Sequence, residues 1–402
     1  MKFKINPTTK VLIVIIFSQF CCTSLWFAGN AIIDDLILFF NLSSESLSYI
    51  SSSVQFGFII GTFVFAVLTL SDRFSPSRLF FICAVLGATF NLGILYSENT
   101  FYSILGFRFL TGFSLAGIYP VGMKIAADHF EEGLGKSLSF LIAALVLGTA
   151  FPYLIQSFDL NINWRAVIYT TSFLALIGGF LILFLVPNGP YQKLAAKFDA
   201  YKILNVFKKP SFRAAAFGYF GHMWELYAFW TFTPLVLTMH QELHDVQLNI
   251  PLFSFIIIAS GTLSCILGGF ISNRLGVKKT ATLALSISGL CCLVSPLFFM
   301  INSTPVFIVF LIIWGMSVIA DSPLFSTMIA QNCEVESIGT ALTIVNCLGY
   351  SLTIVSIQIL SYLISHVSYT PLVFMTLSIG PILGIIALKK TKITPLQNQN
   401  KS

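Results

Sequence analysis

Four ionisable side chains stand inside otherwise apolar stretches: Arg108 in GFRFLTGFSLAGIYPVG, His222 and Glu225 in GYFGHMWELYAFWTF, and Asp321 in IADSPLFS. A charge at the centre of a bilayer costs about 2.5–3.5 kcal/mol even on a mild insertion scale, so each is a candidate for function. A carboxylate held away from water can bind and release a proton, and a nearby imidazole can tune or relay it. Arginine in the same setting is a fixed positive charge, able to hold a carboxylate. On a helix His222 and Glu225 lie about 60° apart on one face, near Gly218, Gly221, Phe229 and Phe232, with Met223, Leu226 and Trp230 on the other side. Two readings compete for them. In one, Glu225 carries a proton and His222 assists; in the other, both only bond neighbouring helices, at about 0.6 kcal/mol per bond. The first is favoured, because a buried carboxylate is a costly route to so small a gain.

Asp321 directly precedes Ser322-Pro323. The proline frees a backbone carbonyl and can bend its helix, so Asp321 is either a gate or ion site or the cap of a broken turn. Asn30, Gln55, Asn346 and Gln358 are neutral polar candidates for a solute path, each with helix–helix bonding as the alternative. Trp26, Tyr119, Trp224, Tyr227, Trp230 and Tyr350 could stack on a planar or cationic solute, although packing accounts for most aromatics in a chain where they make up 15%.

The elements that must position these residues are long apolar helices. Of 402 residues, 56% are hydrophobic and 9% charged, and the mean hydropathy is +0.88, whereas a soluble domain carries roughly 25% charged residues. Apolar runs of bilayer-crossing length, about 20 residues, fall near 11–33, 48–71, 78–97, 101–127, 135–156, 165–187, 212–238, 251–273, 279–301, 304–330, 337–364 and 368–389. They predict an all-α membrane protein with twelve transmembrane helices; barrel strands would be about 10 residues long with alternating polarity. The first run is long, lacks a small-x-small cleavage site and is followed by eleven more, which predicts an uncleaved first helix.

Basic residues accumulate on the cytoplasmic side of membranes. With the N-terminus inside, nearly all of the 22 Lys and Arg fall in inner segments; Arg108 and Arg165 are the exceptions, and both termini are expected to be cytoplasmic. The net charge of +6 therefore reports topology, and nucleic acid is not an expected partner. The eight cysteines, nearly all within spans, show no CxxC spacing and read as small hydrophobes. His240, Glu242, His244 and Asp245 sit close together after the seventh span, where a solvated outer loop is favoured over a metal site; no metal is expected.

The polar, lysine-rich segment 188–211 separates six spans from six and reads as a cytoplasmic linker along anionic headgroups. The expected domains are thus an N-terminal six-helix bundle, 1–187, and a C-terminal one, 212–402, ending in a short tail. A repeat supports the division: Asp72-Arg73 in TLSDRFSPSRLFF and Asn273-Arg274 in FISNRLGVKKTAT stand 201 residues apart. Parallel six-helix repeats of this kind place a substrate site near the bilayer midplane.

At these residues the chain resembles the major facilitator superfamily over nearly its whole length. The family's loop signature, G-x-x-x-D-R-x-G-R-R/K, is matched by LTLSDRFSPSR through Asp72, Arg73 and Arg78, with Leu68 replacing the first glycine and Ser75-Pro76 altering the turn. The second copy, GFISNRLGVKK, keeps Gly269, Arg274, Gly276, Lys278 and Lys279 and has Asn273 for the acid. The resemblance implies that these loops are conformational latches, the first copy being the working one. The fourth span resembles R-x-x-x-G-x-x-x-A-G through Arg108, Gly112, Ala116 and Gly117, and LGTAFP, ending at Pro152, is loosely similar to the glycine-proline motif of family antiporters. In that fold helices 1, 4, 7 and 10 line the central cavity, and the four ionisable residues all fall on this set. Counted by helical rise, Arg108 and Glu225 each lie about 20 Å from the cytoplasmic side, so the two could meet, or nearly meet, across the seam between the halves, with a substrate as the other candidate partner of Glu225.

The resemblance implies a bacterial inner-membrane secondary transporter, not an enzyme. It would move a small organic solute, an organic anion or an amphipathic metabolite, by alternating access and with proton coupling. The expected coupling residues are Glu225, His222 and Asp321; the expected substrate residues are Arg108, Asn30, Trp26, Tyr119, Trp224, Tyr227, Gln55 and Asn346. LWFAGNA and WRAV resemble members grouped with cyanate, nitrate and organic-anion carriers; the paired arginines that nitrate porters use in the second and eighth helices are absent, which counts against nitrate. No Walker loop, HExxH or GxSxG occurs, and no cofactor is expected. Partners are a small solute, protons and lipid, and the chain is expected to be a monomer. A non-transporting membrane receptor with a transporter fold, or an inorganic-anion carrier of the cyanate or nitrate kind, is the alternative, and an intramembrane enzyme the weaker third reading.

Overall fold

The structure, a computed structural model, describes residues 7–130, 134–158, 163–192, 206–334, 337–367 and 370–390. Within them every regular element is a helix. Lys2, Lys4, Lys193, Lys197, Lys202, Lys392, Lys401 and most of the expected linker lie outside the described residues. Among the described residues, ten helices are long and apolar enough to cross a membrane. The other two expected spans depart from that simple form for chemical reasons. The first is broken, running as α1 (Pro7–Thr23), the short α2 (Ala28–Ala31) and α3 (Ile33–Phe40). The seventh is one 35-residue helix, Pro210–His244, whose glycines, threonines, His222 and Glu225 dilute its apolar character.

The chain divides into two compact units, Met1–Ala195 and Ala196–Ser402. The first holds α1 to α3, α4 (Ser46–Val67), α5 (Leu70–Arg73), α6 (Pro76–Leu92), α7 (Phe101–Leu115), α8 (Tyr119–His129), α9 (Leu134–Ser157) and α10 (Arg165–Leu185). The second holds α11 (Pro210–His244), α12 (Ile250–Leu275), α13 (Val277–Phe299), α14 (Thr304–Ala320), α15 (Ser322–Gln331), α16 (Ile338–His366), the 3₁₀ segment Thr370–Ser378 and α17 (Ile379–Lys389).

Internal packing repeats between the units. In the first, α4 lies along α7, α6 along α10, and α1 against α9 and α10; in the second, α12 lies along α14, α13 along the final span, and α11 against α16 and the final span. Small residues set the closest approaches, as expected where helices pack by shape rather than by exclusion of water. A Cβ on Gly112 of α7 would run into the Val54 carbonyl of α4, and one on Gly57 of α4 into the Phe109 carbonyl of α7. Gly221 and Gly380 meet backbone to backbone in the same way between α11 and α17.

The fourth and tenth spans share a discontinuity. α7 gives way to α8 through Ala116–Ile118, just before Pro120, and α14 gives way to α15 at Asp321, just before Pro323. Both prolines occupy the first turn of the following helix, where a missing N–H costs nothing. The loop repeats diverge. The first passes through Thr69, in the left-handed region at φ 48°, and the single turn α5 before Pro76 starts α6; the second runs straight from α12 into α13 at Gly276, φ 86°. Asp72 therefore stands on its own turn, while Asn273 belongs to the last turn of α12.

Candidate functional site

In the first unit the break after Thr23 leaves carbonyls without helical partners, and Arg108 takes them up. Its Nη2 donates to the Leu25 and Trp26 carbonyls and its Nη1 to Asn91 Oδ1, 3.0 Å away. Asn91 in turn donates to Ser172 Oγ at 2.9 Å and Thr171 Oγ1 at 3.1 Å. The guanidinium is wholly buried, and it caps the end of a half-helix, where backbone dipoles favour a cation. The acceptors it has are neutral groups of its own unit, made available by a helix break that hydropathy does not reveal.

Asn30, beyond the same break, donates from Nδ2 to Ser51 Oγ on α4 at 2.6 Å. Trp26 packs on Phe58 with ring centroids 4.9 Å apart. Gln55 is buried on α4, and Tyr119 is half-buried at the start of α8.

The second unit holds the acids. Glu225 is fully buried. Its Oε1 accepts from Trp314 Nε1 at 2.6 Å and Cys292 Sγ at 3.2 Å, and its Oε2 accepts from Ser288 Oγ at 2.9 Å. One turn back on α11, His222 Nδ1 lies 2.8 Å from Asp321 Oδ1, and both side chains are essentially without exposure. His222 Nε2 and Asp321 Oδ2 have no hydrogen-bond partner among the described residues. The i, i+3 spacing brings His222 and Glu225 to one face of α11, and their partners lie on α13, α14 and at the start of α15. The glycines explain the orientation: Gly218 receives Phe325 and Gly221 receives the backbone of α17, so the small face of α11 is where its neighbours pack.

The expected substrate aromatics of this unit are tied into it. Trp224 donates to the Thr376 carbonyl at 3.2 Å, and the Tyr227 and Tyr350 hydroxyls are 2.9 Å apart. Asn346, half-buried, precedes Tyr350 by one turn on α16.

At the loops, Lys124 Nζ of α8 pairs with Asp72 at 2.7 Å and lies 4.0 Å from Asp128. Arg73, Arg78, Asn273 and Arg274 are exposed. His240 to His244 belong to α11 and not to an outer loop as expected: the helix runs on through His244 and ends at Asp245, φ 49°. His244 Nε2 is 2.8 Å from the Phe299 carbonyl, and His240 stacks on Phe307 at 4.0 Å.

Trp314, Ser288, Cys292, Asn91, Ser51 and Lys124 are the functional contacts that sequence reasoning missed. Only Trp314 gave a signal: an indole N–H deep in an apolar helix must find an acceptor.

The geometry can now be set beside known proteins. A family model described as Major Facilitator Superfamily matches residues 12–357. Among curated proteins the chain is 27% identical over 159 residues to "Putative niacin/nicotinamide transporter NiaP" of Bacillus subtilis (strain 168), 39% of each chain. It is 29% identical over 145 residues to "MFS-type transporter phm3" of Pyrenochaetopsis sp, 35% of this chain and 29% of that one. It is 29% identical over 142 residues to "Glucose/mannose transporter GlcP" of Bacillus subtilis (strain 168), 34% of this chain and 35% of the other. The chain thus spans 29–39% of the length of these relatives. Its fold is similar to that of the proton:xylose symporter XylE bound to 6-bromo-6-deoxy-D-glucose, with a TM-score of 0.73, 14% identity and 98% of both chains covered. With the family model extending over both six-span repeats, the chain is a multi-pass integral membrane protein and belongs to the Major Facilitator Superfamily.

Proposed function

We propose that the protein is a secondary transporter that carries a small organic solute across a bacterial inner membrane by alternating access, driven by protons through Glu225, His222 and Asp321. One observation carries this reading: two carboxylates and a histidine are enclosed inside one helical bundle, away from solvent. The arrangement suits proton exchange. Glu225 is surrounded by three donors, of which the Ser288 hydroxyl donates to the carboxylate and can rotate to accept a hydrogen bond from the neutral acid. Asp321 sits where α14 breaks, so a change in its pairing with His222 acts on a hinge already present in the backbone. Asp72, paired with Lys124 at the rim, serves as the latch, because a charge pair at a wet interface is released cheaply. The transporter names of the matched relatives support the same class.

The test is solute flux in proteoliposomes under an imposed pH gradient. Accumulation driven by the gradient, lost in Glu225→Gln while counterflow persists, is the expected result. Binding of solute with no flux under any gradient would replace the transporter with a receptor. Retained proton-driven accumulation in Glu225→Gln would remove that residue from the coupling.

A further inference from the structure

The first unit contains polar groups whose hydrogen bonds the protein itself does not make. Gln55 is 0% exposed and Asn30 1%, yet both the Nε2 and Oε1 of Gln55 and the Oδ1 of Asn30 lack a partner among the described residues. A primary amide buried with both ends idle is costly, and far more so in a membrane than at a wet surface. Leucine at position 55 would carry no such cost.

The idle groups share a place in the fold. Ser51, Gln55 and Phe58 follow one another at i, i+4 and i+7 on α4, hence on one face. That face is turned toward the break between α1 and α2: Asn30 donates to Ser51, and Trp26 packs on Phe58. Two donors and an acceptor from Gln55, a second acceptor from Asn30, and a flat aromatic wall therefore lie together.

The same place carries no usable charge. Both Nη atoms of Arg108 are committed to the Leu25 and Trp26 carbonyls and to Asn91. Its remaining Nε is covered by α2, where a Cβ on Gly29 would come within 3.2 Å. An anionic solute would lose its hydration here with neither Nη of Arg108 free to hydrogen-bond it in return.

We infer that this face of the N-terminal unit binds a neutral, ring-bearing solute whose edge both donates and accepts hydrogen bonds, such as a sugar-like polyol or an aromatic carboxamide, and discriminates against the corresponding acids. The inference rests on the transport reading only in taking the bound molecule to be the cargo. The ring lies on the indole, and its edge pairs with the Gln55 amide in two parallel bonds, which selects for donor and acceptor side by side.

Matched pairs test it on the purified full-length protein, by calorimetry and thermal shift: D-glucose against D-glucuronate, and nicotinamide against nicotinate. One neutral member binds at least about tenfold more tightly than its acid, and Gln55→Leu weakens that binding by about tenfold or more, the loss of one hydrogen-bonded pair. The ligand-free Gln55→Leu protein melts no lower than the parent, since no internal bond is lost; a residue of purely structural role would lower it. Tighter binding of the acids, failure of both neutral probes to bind at millimolar concentration, or unchanged affinity in Gln55→Leu would each overturn the inference. Binding of a neutral probe without counterflow would sink the transport reading and leave this one standing, whereas counterflow of acids alone would do the reverse.

Discussion

The two six-span units pack their helices in the same pairs yet bury opposite charges, and they neutralise them by different means. The first encloses a cation. Arg108 is met by two carbonyls and an amide oxygen, acceptors that neither titrate nor leave, because they are fixed in the backbone break and in Asn91. The second encloses acids. Glu225 is met by a hydroxyl, a thiol and an indole, and Asp321 by the His222 imidazole. The first unit's buried charge is thus held by backbone and amide oxygens, the second unit's acids by side-chain donors. Burial alone does not distinguish these charges; the chemistry of their partners does.

The comparison breaks most visibly at Arg108. Arg108→Ala strands two carbonyls and Asn91 without donors, and each unsatisfied buried group costs about 1–3 kcal/mol. A loss of about 3 kcal/mol or more is expected, read as poor yield of folded protein and a lowered melting temperature in detergent. Arg108→Lys should recover little, because an ammonium cannot reproduce the planar fork that reaches three acceptors. If Arg108→Ala instead folds normally and loses only solute binding, a structural role for Arg108 fails.

Glu225→Gln should have the opposite profile. The amide still accepts from Trp314 and can donate to Ser288, so stability changes by about 1 kcal/mol or less, while proton-driven accumulation falls by about tenfold or more. A large stability loss with unaltered coupling would make Glu225 a structural residue as well. Asp321→Asn, which leaves His222 without its acidic partner, should reduce coupled flux less than Glu225→Gln, and should leave counterflow measurable.

The smallest effect is expected at the loops, where the first unit has Asp72 and the second has Asn273 at the matching place. Asp72→Asn gives the first loop the residue that Asn273 supplies in the second. Asp72 and Lys124 are partly solvated, with side-chain exposures of 14% and 22%, so the pair contributes about 1 kcal/mol or less to stability. A change in transport rate without a change in melting temperature would mark Asp72 as a latch; no change in either would remove that role.

Much of this was legible before any coordinates. Hydropathy gives the helical spans, and the pairing of Asp72 with Asn273 at matching places gives the repeat. Cost in hydrocarbon singled out Arg108, His222, Glu225 and Asp321. Their partners were not legible, because Ser288, Cys292 and Trp314 lie 63 to 89 residues from Glu225 and no local pattern marks a serine or cysteine as the donor to a distant acid. The neighbours of the His222–Glu225 face were not legible for a related reason. A helical wheel shows which side is small and polar, but it cannot say whether that side meets another helix or a cavity; Gly221 against Gly380 decided it.

The sequence by itself determined that this is a helical membrane protein of two repeats with four costly ionisable groups, since transfer free energy and helical period are local properties of the chain. Tertiary structure decided what those groups face. Arg108 became the cap of a broken helix and Glu225 the centre of a three-donor cage because helix breaks at Ser24–Phe27 and Asp321, and glycine contacts between distant spans, set which side chains meet. Such contacts are fixed by packing across the whole bundle, which no window of sequence contains.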